Sequence, residues 1–97
     1  MTAPLEHLAQ TLAIRDLLYR YARGVDRRDL ELVRSCFAPT AHYEGALARG
    51  TVAGMLLALP APMDRYLATM HFMSEPAVTI DGETARSETP TLAYHVL

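Results

Sequence analysis

Helix-forming patterns come first in this chain and strand-forming patterns afterwards. That order restricts it to an α+β layered fold, with N-terminal helices packed on one face of a curved antiparallel sheet. From Ile14 the apolar residues recur at Leu17, Leu18, Tyr21, Ala22 and Val25, with Arg15, Asp16, Tyr19, Arg20 and Arg23 opposite, which is the spacing of an amphipathic helix. It is expected to run from about residue 5 to 23, with Asp16 and Arg20 paired across one turn and Gly24 as the left-handed residue that ends it. A short second helix follows Asp26-Arg27-Arg28-Asp29, carries Leu30, Val33 and Phe37 at helical spacing, and ends before Pro39. Residues 41–44 read as a brief strand, Tyr43 on one face and His42 and Glu44 on the other. Residues 51–59 read as a third helix, followed by a proline-punctuated helical turn at about 63–67. Beyond it, residues 69–80 and 84–96 are extended runs separated by Asp81-Gly82-Glu83, and an Asp-Gly pair in that setting signals an antiparallel hairpin.

With 97 residues the chain is read as a single domain, 1–97, whose small core leaves much surface in water. One long hairpin and one short strand make a marginal sheet, so its open edge is expected to need a cover. The apolar share of 51% and charged share of 21% are those of a globular protein. A net charge of -2 without a basic run argues against nucleic acid as a partner. All nine basic residues are Arg, so Schiff-base chemistry, pyridoxal phosphate anchoring and a P-loop lysine are excluded. Cys36 has no second cysteine to bridge to and reads as a buried, inert thiol. Residues 1–6 lack the basic start and apolar run of a secretory signal, which makes the cytoplasm the expected compartment. The longest apolar stretch, 52–63, is broken by Gly54, Pro60 and Pro62 and is far shorter than the roughly 20 residues that span a membrane.

Two longer strings carry a family likeness. Residues 13–29 (AIRDLLYRYARGVDRRD) with 36–41 (CFAPTA), and later 69–74 (TMHFMS), 78–85 (VTIDGETA) and 92–95 (LAYH), resemble SnoaL-like proteins of the nuclear transport factor two-like superfamily. The resemblance implies a cone-shaped sheet around an apolar pocket, no cofactor, and a homodimer or homotrimer. It also implies two further strands after residue 97, so the last strands are expected to be missing at the C-terminal end, the chain being a fragment or a truncated member. Members include dehydratases, dehydrochlorinases, polyketide cyclases and ketosteroid isomerase, and also non-catalytic small subunits of ring-hydroxylating dioxygenases. Glu75 and Pro90 depart from the family's pattern, and Pro90 implies a kinked or peripheral second strand.

In the dehydratase and dehydrochlorinase members an Asp after the first helix and a His on the first long strand form a dyad, and Asp26 and His71 match those positions. A neutral imidazole removes a proton from carbon while a carboxylate on its far nitrogen sets the tautomer and stabilises the imidazolium. Asp26 also fits as an N-cap of the second helix, with Asp29 three positions later in a capping-box-like arrangement, and a lone strand His is commonly structural. His95 shares its strand face with Thr91 and Ala93, and the resemblance makes His95 and Thr91 candidates for substrate contact. Tyr21 and Tyr43 match pocket-lining positions, where a phenol can donate to a substrate oxygen or simply fill the core. Alternation turns His42 and Glu44 away from Tyr43, so they do not converge with His71 and no metal site is expected. The function implied is a lyase or isomerase acting on a small apolar or aromatic oxygenated molecule, the rival being a non-catalytic binding or assembly subunit.

Overall fold

A computed structural model describes residues 3–45 and 49–97. The order is α1 (Ala3–Asp26), α2 (Leu30–Arg34), β1 (His42–Glu44), β2 (Arg49–Thr51), α3 (Val52–Ala58), α4 (Pro60–Met63), β3 (Ala68–Met73), β4 (Ala77–Asp81), β5 (Thr84–Glu88) and β6 (Thr91–Val96). Helices and antiparallel strands are segregated as expected of an α+β fold.

Helix α1 passes through Gly24 instead of ending there. Gly24 is buried, and a Cβ at this position would lie 2.8 Å from Cγ2 of Val33 and 3.0 Å from its backbone nitrogen. The glycine is a contact point between α1 and α2, not a terminator. The left-handed residue is Arg28, with φ 54°. There the Asp29 N–H donates to the Gly24 carbonyl (2.8 Å) and the Arg28 N–H to that of Val25 (3.1 Å), the paired bonds of a Schellman ending. Asp29, not Asp26, caps α2, its carboxylate accepting from the Leu32 N–H at 3.1 Å. The expected Asp16–Arg20 pair is replaced by Arg15, which lies 3.8 Å from Asp16 and 3.5 Å from Glu75. Arg15 is half-buried, and Glu75 reaches it from the segment between β3 and β4.

The proline-rich stretch after α3 forms its helical turn at Pro60–Met63, earlier than expected, because proline suits the first helical positions. The sequence pattern also missed β2, whose three residues pair His42↔Thr51, Tyr43↔Gly50 and Glu44↔Arg49. Val25, Val33, Val52, Met55 and Met63 form the buried core, with Tyr21, Phe37, Tyr43 and Leu59 packed around it. It lies among the four helices and β1, beside the long hairpin.

That hairpin is broken once. β3 pairs with β6 up to Met73↔Thr91, and β4 with β5 from Ala77↔Glu88. Three residues, 74–76, therefore oppose two, 89–90, which is a β-bulge. Pro76 and Pro90 stand within it, where a missing N–H interrupts no ladder, and the Ser74 N–H donates to the Pro90 carbonyl at 3.1 Å. Gly82, with φ 59°, supplies the left-handed turn residue. Outward-facing Met70, Phe72, Leu92, Tyr94 and Val96 remain exposed on the β3–β6 pair. Among the described residues no helix is long and apolar enough to cross a membrane.

Candidate active site

The Schellman ending leaves Asp26 as the last residue of α1, beside the edge of β3 that does not face β6. Its carboxylate accepts three hydrogen bonds: from Thr69 Oγ1 (3.0 Å), from the His71 backbone N–H (2.8 Å) and from His71 Nδ1 (2.6 Å). The first and third go to Oδ1 and the second to Oδ2, so the carboxyl plane is fixed at both oxygens. An ionised carboxylate only accepts, which places the imidazole proton on Nδ1 and leaves a lone pair on Nε2. Both side chains are about three-quarters withdrawn from solvent, at 20% and 24% exposure, so water screens the contact weakly.

His71 lines a cleft of about 150 Å³ between β3, β6 and the helices. Val25, Leu59, Pro62 and Met63 supply its apolar wall. Alternation along β3 brings Thr69 to the same side as His71, and the register Thr69↔His95 and His71↔Ala93 brings His95 there from β6. The small Ala93 opposite His71 leaves room beside its ring. The two imidazole centroids are 6.2 Å apart, and the Tyr66 ring lies 4.7 Å from that of His95.

Tyr21 and Tyr43 border the same cleft from α1 and β1. Burial raises the Tyr21 phenol above the ordinary tyrosine range, and the neighbouring Tyr43 phenol adds to the effect. Tyr21 is therefore a neutral donor at any physiological pH. Tyr21 also packs edge-on against Phe37, with centroids 5.8 Å apart. Gly45 matters to Tyr43, because a Cβ there would come within 2.6 Å of its hydroxyl.

Five of the residues singled out from sequence thus meet at one place: Asp26 and His71 in contact, and Tyr21, Tyr43 and His95 around the cleft that His71 borders. Thr91 does not. It shares the strand face of His95 but lies four residues along β6, roughly 13 Å at about 3.3 Å per residue, opposite Met73. Its hydroxyl donates to the Thr89 carbonyl at 3.2 Å. His42 and Glu44 are exposed while Tyr43 turns inward, and no three His, Cys, Asp or Glu side chains converge among the described residues. Cys36 is half-buried, with its thiol 3.4 Å from the Leu32 carbonyl.

Sequence reasoning missed Tyr66 and Thr69. Thr69 was open to it, because it stands two residues before His71 and so shares its face. Tyr66 was not, because its place depends on how the proline-rich segment folds back.

The SnoaL-like domain model matches residues 6–97. Comparison with curated proteins and with solved structures gives no match. The family match covers nearly the whole chain and joins the helical opening to the long hairpin, the two parts that build the site; the chain belongs to the SnoaL-like domain family of the nuclear transport factor two-like superfamily.

Proposed function

We propose that the chain is a cofactor-independent lyase or isomerase acting on a small oxygenated compound with one apolar or aromatic ring. The observation that carries this reading is the 2.6 Å contact between Asp26 Oδ1 and His71 Nδ1 at the wall of an apolar cleft. His71 Nε2 takes a proton from a carbon next to a carbonyl. The electron pair of that C–H bond forms a C=C bond and pushes the carbonyl pair onto oxygen to give an enolate, which takes the proton back from His71 at carbon, or it expels a β-hydroxyl that leaves as water with the proton carried by His71. Asp26 stabilises the imidazolium in between, and Tyr21 or Tyr43 donates to the oxygen on which charge develops. A volume of about 150 Å³ is of the size that takes a benzene-like ring, which favours monocyclic substrates.

One observation favours a non-catalytic role. Asp26 also satisfies the His71 N–H and the Thr69 hydroxyl, so it anchors an otherwise unpaired strand edge whether or not chemistry follows. Acetophenone in D2O separates the readings. As a lyase or isomerase the protein exchanges the methyl protons for deuterium, followed by NMR, and His71→Ala abolishes the exchange while the fold persists. Exchange unchanged in His71→Ala, or acetophenone bound without any exchange, would leave the binding-subunit reading in its place.

A further inference from the structure

Among the described residues Arg28 alone, apart from glycine, has a left-handed φ. Glycine fills that position without steric penalty, so an arginine there calls for a reason in its side chain. Its guanidinium Nη2 donates to the Met63 carbonyl at 2.8 Å and to the Tyr66 carbonyl at 2.6 Å. These carbonyls belong to the segment that leaves α4. The Tyr66 N–H closes a turn onto the Met63 carbonyl (3.1 Å), and the Leu67 N–H reaches the Val96 carbonyl on β6 (2.7 Å). The segment is thus held at one side by the end of α1 and at the other by the hairpin. From it Met63 and Tyr66 form the wall of the cleft, and the Tyr66 ring packs against that of His95 at a tilt of 52°.

We propose that Arg28 is a positioning residue of the site, holding the Met63–Tyr66 wall, and through Tyr66 the ring of His95, at a set distance from the Asp26–His71 pair. Arg28 follows Asp26 by two residues on one helix ending, so the same rigid turn places the carboxylate on β3 and the wall across from it. The width of the cleft, and hence the size of ring it admits, is set by that turn. The planar guanidinium suits two fixed carbonyls better than the ammonium of lysine on its flexible stem.

The consequence for substrate size rests on the function proposed above, but the geometry is tested without turnover. Arg28→Gly suits the left-handed backbone, so the fold is expected to survive while the clamp is lost. In NMR spectra of this variant the Tyr66–His95 cross-peaks disappear and the His95 ring protons lose their displacement by the Tyr66 ring. The His71 Nδ1–H signal stays, and Arg28→Lys keeps the cross-peaks in weakened form. With acetophenone as probe, Arg28→Gly raises KM about tenfold and leaves kcat nearly unchanged, as expected for a residue that shapes binding and not the chemical step. Cross-peaks unchanged in Arg28→Gly would overturn the assignment. So would unfolding of that variant, or loss of the His71 Nδ1–H signal, since either would make Arg28 a support of the whole fold. If the parent protein exchanges no acetophenone protons, the cross-peak result still decides the role of Arg28.

Discussion

Asp26→Asn keeps the shape of the side chain and removes one of two accepting atoms, which puts stability and activity on different footings. With the amide oxygen at the place of Oδ1, it still accepts from Thr69 and from His71 Nδ1, but its NH2 then faces the His71 backbone N–H, a meeting of two donors. Leaving that N–H unpaired costs about 1–3 kcal/mol. With the amide turned over, its oxygen accepts from the His71 N–H, and its NH2 donates to Thr69 Oγ1 and to Nδ1. The amide and both His71 groups are then paired at neutral instead of charge-assisted strength while the Thr69 hydroxyl hydrogen gives up its acceptor, and for these partly exposed side chains the loss is about 1–2 kcal/mol. A domain of this size should lose roughly 5–15 °C in Tm. The turned amide needs a bare Nδ1, so the imidazole proton moves to Nε2 and the base disappears. Turnover should fall by about 10⁴, as in other histidine–carboxylate pairs. Thermal melts read the first effect and acetophenone exchange the second, while ¹⁵N shifts of His71 report which ring nitrogen carries the proton. Asp26→Asn with the proton on Nε2 and activity still within tenfold of the parent would refute the assignment of Asp26 as the group that sets the catalytic tautomer.

Gly24→Ala improves helix propensity by about 1 kcal/mol but drives a methyl to 2.8 Å from Val33 Cγ2 and 3.0 Å from its backbone nitrogen. Overpacking against backbone costs about 1–3 kcal/mol, so a net loss of about 1 kcal/mol is expected, and an unchanged or raised Tm would show that α2 yields freely. The exposed apolar face of Met70, Phe72, Leu92, Tyr94 and Val96 leads us to expect self-association through the β3–β6 pair. Light scattering should report a dimer or trimer that Phe72→Arg dissociates, and a well-folded monomer of the parent at micromolar concentration would exclude it.

Signals that need only chain neighbours were legible in the sequence. The i, i+3, i+4 spacing of Leu17, Leu18, Tyr21, Ala22 and Val25 declares a helix wherever it packs, and Gly82 between extended runs declares a hairpin. The tertiary structure decided what depends on distant partners. Gly24 looks like a helix stop until Val33 lies against it, and Arg28 carries no local sign of its φ because its reason is two carbonyls 35 and 38 residues away. Pro90 announces an irregular second strand, but that Pro76 stands across from it within one bulge depends on the pairing of the two strands. By spacing Asp26 fits a helix cap, and only the family resemblance makes it a candidate for a dyad. Only the approach of β3, 45 residues downstream, gives its carboxylate to His71 and leaves the capping to Asp29. Alternation put Thr91 on the right face but carries no depth along the strand, so Thr91 lies beyond the cleft and Tyr66, from an irregular segment, takes a place in it. Periodicity encodes direction around a local axis; a site is a set of long-range distances, and those are fixed only when helix ends, strand register and turns are packed together.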